Sequence, residues 1–287
     1  MRVSLARRVA RNTVPLIVLA GLVTAGLLLY QSDRDSRQLQ YQTGDNQAAD
    51  RLDLQVIIEK MNAAAQQLTL RLTAVPQGAL ATGPDSGTPS RDLTVDTTSQ
   101  ATPVLRYPAG QPAPTAEITV DAAGITSDYP FDRYQAAIGF AASAGDTAVP
   151  VTLTLNDADP SFTARITQGG QSTAGYTFFH VTETRSRSTL LLALMMMAIM
   201  WALALTVAAA SRVLVRDRRG LTFPAMGWMA ATLFALAAFR NAAPGSPPVG
   251  TVFDYAAYLW AELIVAVSLV VVTATAIRNE AAAPPAS

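Results

Sequence analysis

The sequence contains no cysteine, one histidine and one lysine among its 287 residues, and each scarcity closes a class of chemistry. Without cysteine there are no disulfides, thiolate nucleophiles or cysteine-ligated metals, so an exported part of the chain must be held by its core alone. A single imidazole, His180, excludes zinc sites built from several histidines and any two-histidine acid–base pair. Its place beside Phe178 and Phe179 suggests a half-buried structural role. No Gly-x-Ser-x-Gly, phosphate-binding glycine-rich loop or His-Glu-x-x-His occurs. An enzyme of familiar mechanism is therefore not expected, and no cofactor or catalytic residue is assigned. Charge is also scarce, at 15% of residues with a formal net charge of zero. Between residues 31 and 187, 17 acids face 11 bases, a balance of −6, the reverse of a nucleic-acid-binding surface, so nucleic acid is no partner.

Half of the residues are hydrophobic. Four apolar runs, at 13–30, 189–210, 221–239 and 255–277, each approach the roughly 20 residues that cross a bilayer as helix. The first has no small-x-small cleavage site around Leu29-Tyr30-Gln31 and reads as an uncleaved anchor. Arginines set the direction, because short basic flanks stay in the cytoplasm. Arg2, Arg7, Arg8 and Arg11 precede the first run, and Arg212, Arg216, Arg218 and Arg219 lie between the second and third. The expected order is a cytoplasmic N-terminus (1–12), the first span, a linker (31–50) and an extracytoplasmic domain (51–187). The second span, a cytoplasmic loop (211–220) and the third span follow. An outer loop (240–254), the fourth span and a cytoplasmic tail (278–287) complete a multi-pass cell-membrane protein. Tyr30, Tyr255, Tyr258 and Trp260 then sit near the outer interface, where aromatic rings concentrate, and membrane lipid is an expected partner.

From Arg51 the hydrophobic period changes to two. Leu54, Val56 and Ile58 alternate with polar residues, as do Leu68, Leu70 and Leu72, and short runs of the same kind recur to Val181. Seven or eight short strands separated by Gly, Pro, Asp and Asn predict an extracytoplasmic antiparallel β-sandwich-like domain. Asn156, Asp157 and Asp159 in one turn offer oxygen ligands for Ca²⁺, against the commoner reading as a polar turn. Met196 and Met200 offer two thioethers to Cu(I), against the much commoner reading as flexible packing.

Two motifs stand out: Tyr129-Pro130-Phe131-Asp132-Arg133-Tyr134, and Arg240-Asn241 followed by Pro244-Gly245-x-Pro247-Pro248-x-Gly250, Asp254 and Trp260. Their order and span pattern resemble the domain-of-unknown-function 4436 family of membrane proteins, over about residues 51–277. The resemblance implies the architecture but lends no substrate or catalytic residue. The Pro-Phe-Asp core also resembles a loop of pentameric ligand-gated channels. Here, however, one helix precedes the β-domain and three follow, and no span has a polar pore-lining face.

The strongest candidate site is charged. Asp254, Tyr258 and Glu262 are spaced i, i+4, i+8 on one helical face, with Arg240 as counter-charge at the end of the preceding span. They form either a packing clamp or a proton or cation site. Pro130, Phe131 and Asp132 form either a contact with the Pro/Gly loop, Phe131 as anchor and Asp132 as acceptor, or an ordinary corner of the β-domain. The expected function is an envelope interaction or scaffolding component with a protein partner. The alternative is a small transporter or channel component.

Overall fold

The computed structural model describes residues 20–35 except 22, and residues 40–83, 86–171, 176–217 and 222–281. The described residues fall into two compact units. One draws on Met1–Gly124 and Arg133–Ser188, the other on Ile125–Asp132 and Thr189–Ser287.

The first unit opens with a helix, α1, over residues 20–35. Eleven strands follow: β1 (Gln40–Gly44), β2 (Leu52–Asn62), β3 (Gln67–Pro76), β4 (Leu93–Thr97), β5 (Val104–Tyr107), β6 (Ala116–Gly124), β7 (Arg133–Ala144), β8 (Thr147–Val149), β9 (Val151–Asp157), β10 (Phe162–Gln171) and β11 (Thr177–Arg185). Their main order is β1-β9-β2-β3-β6-β7-β11-β10, with β4, β5 and β8 attached beside β7. β1 also lies against β10 and β11, so the sheet curls into a near-barrel. β6 makes the turn of the sheet, pairing with β3 through Ala116–Asp121 and with β7 through Ala122–Gly124. A Cβ on Gly124 would stand 2.3 Å from the Tyr134 ring and 2.4 Å from the Arg133 carbonyl, so only glycine fits that crossing.

The alternation seen in the sequence fills one interior. Leu52, Leu54, Val56 and Ile58 of β2 meet Leu68, Leu70 and Leu72 of β3 and Leu153 and Leu155 of β9, all at most 1% exposed. Met61 joins them although it is three residues beyond Ile58, because a bulge between Ile58 and Lys60 shifts the register by one. Two expectations need correction. The domain is not purely antiparallel, since β2 and β9 pair in parallel from Leu52↔Val151 to Ile58↔Asp157. Period-two alternation is the same for both directions, so it carries no sign of the difference. The stretch 31–50 is not only a linker either. β1 pairs with β9 from Gln40↔Asn156 to Gly44↔Thr152, held by backbone bonds that its polar side chains do not announce.

The Asn156–Asp159 turn is built for its own backbone. Asp157 accepts from Asp159 N at 3.1 Å and Ala164 N at 2.9 Å, and Asp159 accepts from Ser161 N at 2.7 Å and Met61 N at 2.6 Å. The carboxylates are committed to amide groups, as in ordinary Asx turns. Glu183 of β11 lies nearby, fully buried, and neither of its oxygens has a hydrogen-bond partner among the described residues. Burial, reinforced by Asp157 and Asp159, pushes its carboxyl well above the ordinary value of 4.5. An acid whose folded pKa is raised binds its proton more tightly in the folded chain. Its contribution is therefore complete below about pH 4.5 and is lost as pH rises through the folded value. Melting followed by circular dichroism should show wild-type stability falling from pH 5 to pH 8. Glu183→Gln should flatten that fall and melt higher than wild type at pH 8; an unchanged slope would remove Glu183 as its source.

The second unit contains α2 (Arg187–Asp217, whose first two residues belong to the β-unit), α3 (Thr222–Asn241) and α4 (Leu259–Ala281). Among the described residues, three helices here are long and apolar enough to cross a membrane. They fall on the second, third and fourth runs. Of the first run, 13–30, residues 13–19 and 22 lie outside the described residues. Ala193, Met196, Met200, Ala204 and Val207 recur at three- and four-residue spacing along α2 and are buried, against Ala257, Ala261, Val265 and Val272 from the fourth helical segment and Met229 and Leu236 of α3. Met196 and Met200 thus pack in the interior of the bundle.

Candidate functional site

The chain between α3 and α4 is short and shaped by its own composition. Gly245 (φ 78°), Ser246 (φ 45°) and Gly250 (φ 93°) take left-handed backbone conformations, while Pro244 just before them and Pro247 and Pro248 among them fix φ. The next helical segment starts after Thr251, and its first full turn, Asp254–Tyr258, is a π-helix. Trp201 Nε1 donates to the Ala256 carbonyl in that wide turn at 3.0 Å.

Arg240 in the last turn of α3 reaches across this loop. Its Nε donates to Asp254 Oδ1 at 2.9 Å and its Nη2 to Oδ2 at 3.0 Å, a bidentate pair. Nη1 donates to the Pro247 carbonyl at 3.1 Å and Nη2 to the Pro248 carbonyl at 2.8 Å. Asp254 Oδ2 also accepts from Gly250 N at 2.7 Å, Thr251 N at 3.1 Å and Thr251 Oγ1 at 3.3 Å. Arg240 is 8% and Asp254 2% exposed. The pair is net neutral, buried and satisfied on both sides, the arrangement in which a buried ion pair holds structure. Thr251-x-x-Asp254 also supplies the return half of a capping box, the carboxylate reaching back to the N–H of the cap residue, while Thr251 Oγ1 donates to the same carboxylate. That four-residue spacing was available in the sequence and is the signal that separates Asp254 from the two residues below it.

Tyr129, from the Ile125–Asp132 segment of this unit, packs on the same loop. Its hydroxyl donates to the Pro244 carbonyl at 3.0 Å, its carbonyl accepts from Phe253 N at 3.2 Å, and its ring meets Phe253 edge-on at 5.8 Å. Tyr129 and Phe253 are fully buried, whereas Phe131 is 54% exposed. The expected anchor, Phe131, is therefore not the anchor. A turn in which Phe131 N donates to the Asp128 carbonyl leaves its ring exposed while Tyr129 and Pro130 are buried. Asp132 is buried at 1%.

The remaining candidates separate. Tyr258 and Glu262 are neighbours one turn apart, both half-buried, and Glu262 Oε2 is buried without a hydrogen-bond partner among the described residues. The guanidinium of Arg240 is committed to Asp254, so the expectation that Glu262 shares it is corrected. Trp260 and Tyr255 are exposed on the helix surface.

Fold and clamp together define a chain of two units, a near-barrel β-domain followed by three apolar helices closed at one end by a polar loop. Residues 42–182 match the model of a family described as Domain of unknown function (DUF4436), and residues 185–279 match a second, Domain of unknown function (DUF8686). The 4436 resemblance holds for the β-domain, including Tyr129-Pro130-Phe131-Asp132, while the Arg240 loop falls within the second match. No curated protein matches the chain.

Proposed function

We propose that the chain is an integral membrane protein of the cell envelope with four spans, both termini cytoplasmic and the β-domain outside, acting as an interaction or scaffolding component. The observation that carries this reading is the saturation of Arg240 and Asp254 by each other and by the loop. A transport site needs a charge that can exchange partners, and this pair is invested in holding a loop. The positions of the arginine clusters support the direction. So does the meeting of α1 and α2 within the β-unit: Arg187 Nη1 donates to Ser32 Oγ at 3.0 Å, and Ser188 N to Asp33 Oδ2 at 2.7 Å. Two spans that exit and re-enter at one face would join there. α1 exposes Gly21 and Ala25, a small-residue face suited to packing on another helix.

The second reading, a small transporter or channel component, is favoured by Glu262, whose buried oxygen lacks a hydrogen bond among the described residues.

The natural absence of cysteine makes the placement directly testable. Single cysteines at the exposed positions Arg34, Arg91 and Ser246 should react with a membrane-impermeant thiol reagent on intact cells, and one at Arg216 only after lysis. Labelling of Arg216→Cys in sealed cells would sink the topology. Photo-cross-linkers at exposed β-domain positions should give discrete adducts if the domain docks on a partner; an absence at every position would sink the scaffolding role.

A further inference from the structure

Within the β-unit, the end of α1 and the first residue of α2 border a cavity of about 210 Å³ lined by Ser32, Asp33, Tyr41, Arg165, Arg185 and Arg187 among others. Three guanidinium groups stand against one carboxylate, in a domain where acids otherwise outnumber bases. Asp33 is 4% exposed and engaged, its Oδ2 accepting from the backbone N and the hydroxyl of Ser188. Arg187 donates once, to Ser32, and is otherwise exposed. Arg165 is exposed on edge strand β10, its side chain with no hydrogen bond or ion pair among the described residues. Arg185 is held with its guanidinium 4.1 Å from the centre of the Phe162 ring, a stacked, weakly hydrated cation.

We infer that this cavity is a phosphate-binding site, taking the headgroup phosphate of an anionic phospholipid or the same group free in solution. Planar guanidinium forks match phosphate oxygens two at a time, and several around one cavity exclude cationic ligands. The position favours the lipid as source. Arg187 stands two residues before Thr189, where the apolar run of α2 begins, so a membrane-crossing α2 puts the cavity at headgroup level. Only this choice of source rests on the membrane placement proposed above.

The test uses the full chain in an uncharged detergent. Soluble short-chain phosphatidylglycerol and inorganic phosphate are titrated separately by calorimetry, against wild type and the Arg165→Gln/Arg187→Gln double variant. Both arginines are exposed, and ligand-free melting temperatures check that the variant folds as wild type does. Wild type should bind the phospholipid saturably, the variant at least tenfold more weakly, and inorganic phosphate at least tenfold more weakly than the lipid. Phosphate binding as tight as the lipid, and lost in the variant, supports the site with a soluble source. Binding of neither ligand, or equal binding by wild type and variant, overturns the inference. Carbonate extraction of native membranes is independent of these arms. Release of the chain by carbonate, with lipid binding intact, would refute the membrane placement and leave the phosphate site standing.

Discussion

Asp254→Ala should destabilise the helical unit by about 3–5 kcal/mol, because it leaves the Arg240 guanidinium buried without its counter-charge. All three tryptophans, Trp201, Trp228 and Trp260, lie in that unit, so fluorescence during denaturation in mixed micelles reads its unfolding directly. Arg240→Leu should cost a similar amount, by stranding a buried carboxylate. The Arg240→Leu/Asp254→Leu double variant should cost much less than the two single changes added together, since replacing both charges with apolar groups removes the desolvation penalty along with the attraction. Some loss should persist, as the Pro247 and Pro248 carbonyls and the Gly250 and Thr251 amides lose their partners. Glu262→Gln should change stability little, the amide keeping the shape of a side chain that holds neither Arg240 nor the loop. Strict additivity of the Arg240 and Asp254 changes would refute the clamp. A loss of cellular function in Glu262→Gln at unchanged stability and abundance would instead favour the transporter reading.

The second large effect falls on a residue far from the helices in sequence. Tyr129→Ala should destabilise the same unit by about 3–5 kcal/mol, through loss of a fully buried aromatic ring and the cavity left behind. Tyr129→Phe should cost only about 1 kcal/mol, because it deletes the hydroxyl bond to Pro244 and keeps the ring against Phe253. Phe131→Ala, two residues away on an exposed ring, should fall within about 0.5 kcal/mol of wild type. The same fluorescence assay ranks the three. A larger loss from Phe131→Ala than from Tyr129→Ala would reverse the assignment of the anchor.

What could be read in advance depended on whether a feature leaves a periodic or a spacing signal. Long apolar runs leave the strongest one, and the second, third and fourth coincide with α2, α3 and the segment ending in α4. Leu54-x-Val56-x-Ile58 revealed a strand, but the parallel partner of that strand was hidden, because alternation marks the faces of a strand and not its direction. β1 was invisible for a different reason: Gln40, Gln42 and Thr43 hold their place through backbone hydrogen bonds common to any sequence. At the polar site, Arg240 and Asp254 were identifiable as a charged pair, yet the fate of Glu262 was not. Even spacing from Asp254 to Glu262 presumes an α-helical period throughout, and the π-turn at Asp254–Tyr258 breaks it. The choice of Tyr129 over Phe131 depends on how Ile125–Asp132 turns between β6 and β7, which neither aromatic residue discloses by itself.

The Ile125–Asp132 segment makes the two family matches inseparable in practice. They abut near residues 182–185, and a gene fusion or an expression vector cut there would seem to yield two modules. Yet eight residues encoded between β6 and β7 complete the helical unit. A β-domain excised at that point would carry Tyr129 and Pro130 into solvent as an apolar, aggregation-prone tip. The helices expressed alone would leave Phe253 and the Pro244 carbonyl without their cover. Exchange of parts between relatives should therefore succeed only when both pieces move together, or when residues 125–132 are swapped along with the helices they serve.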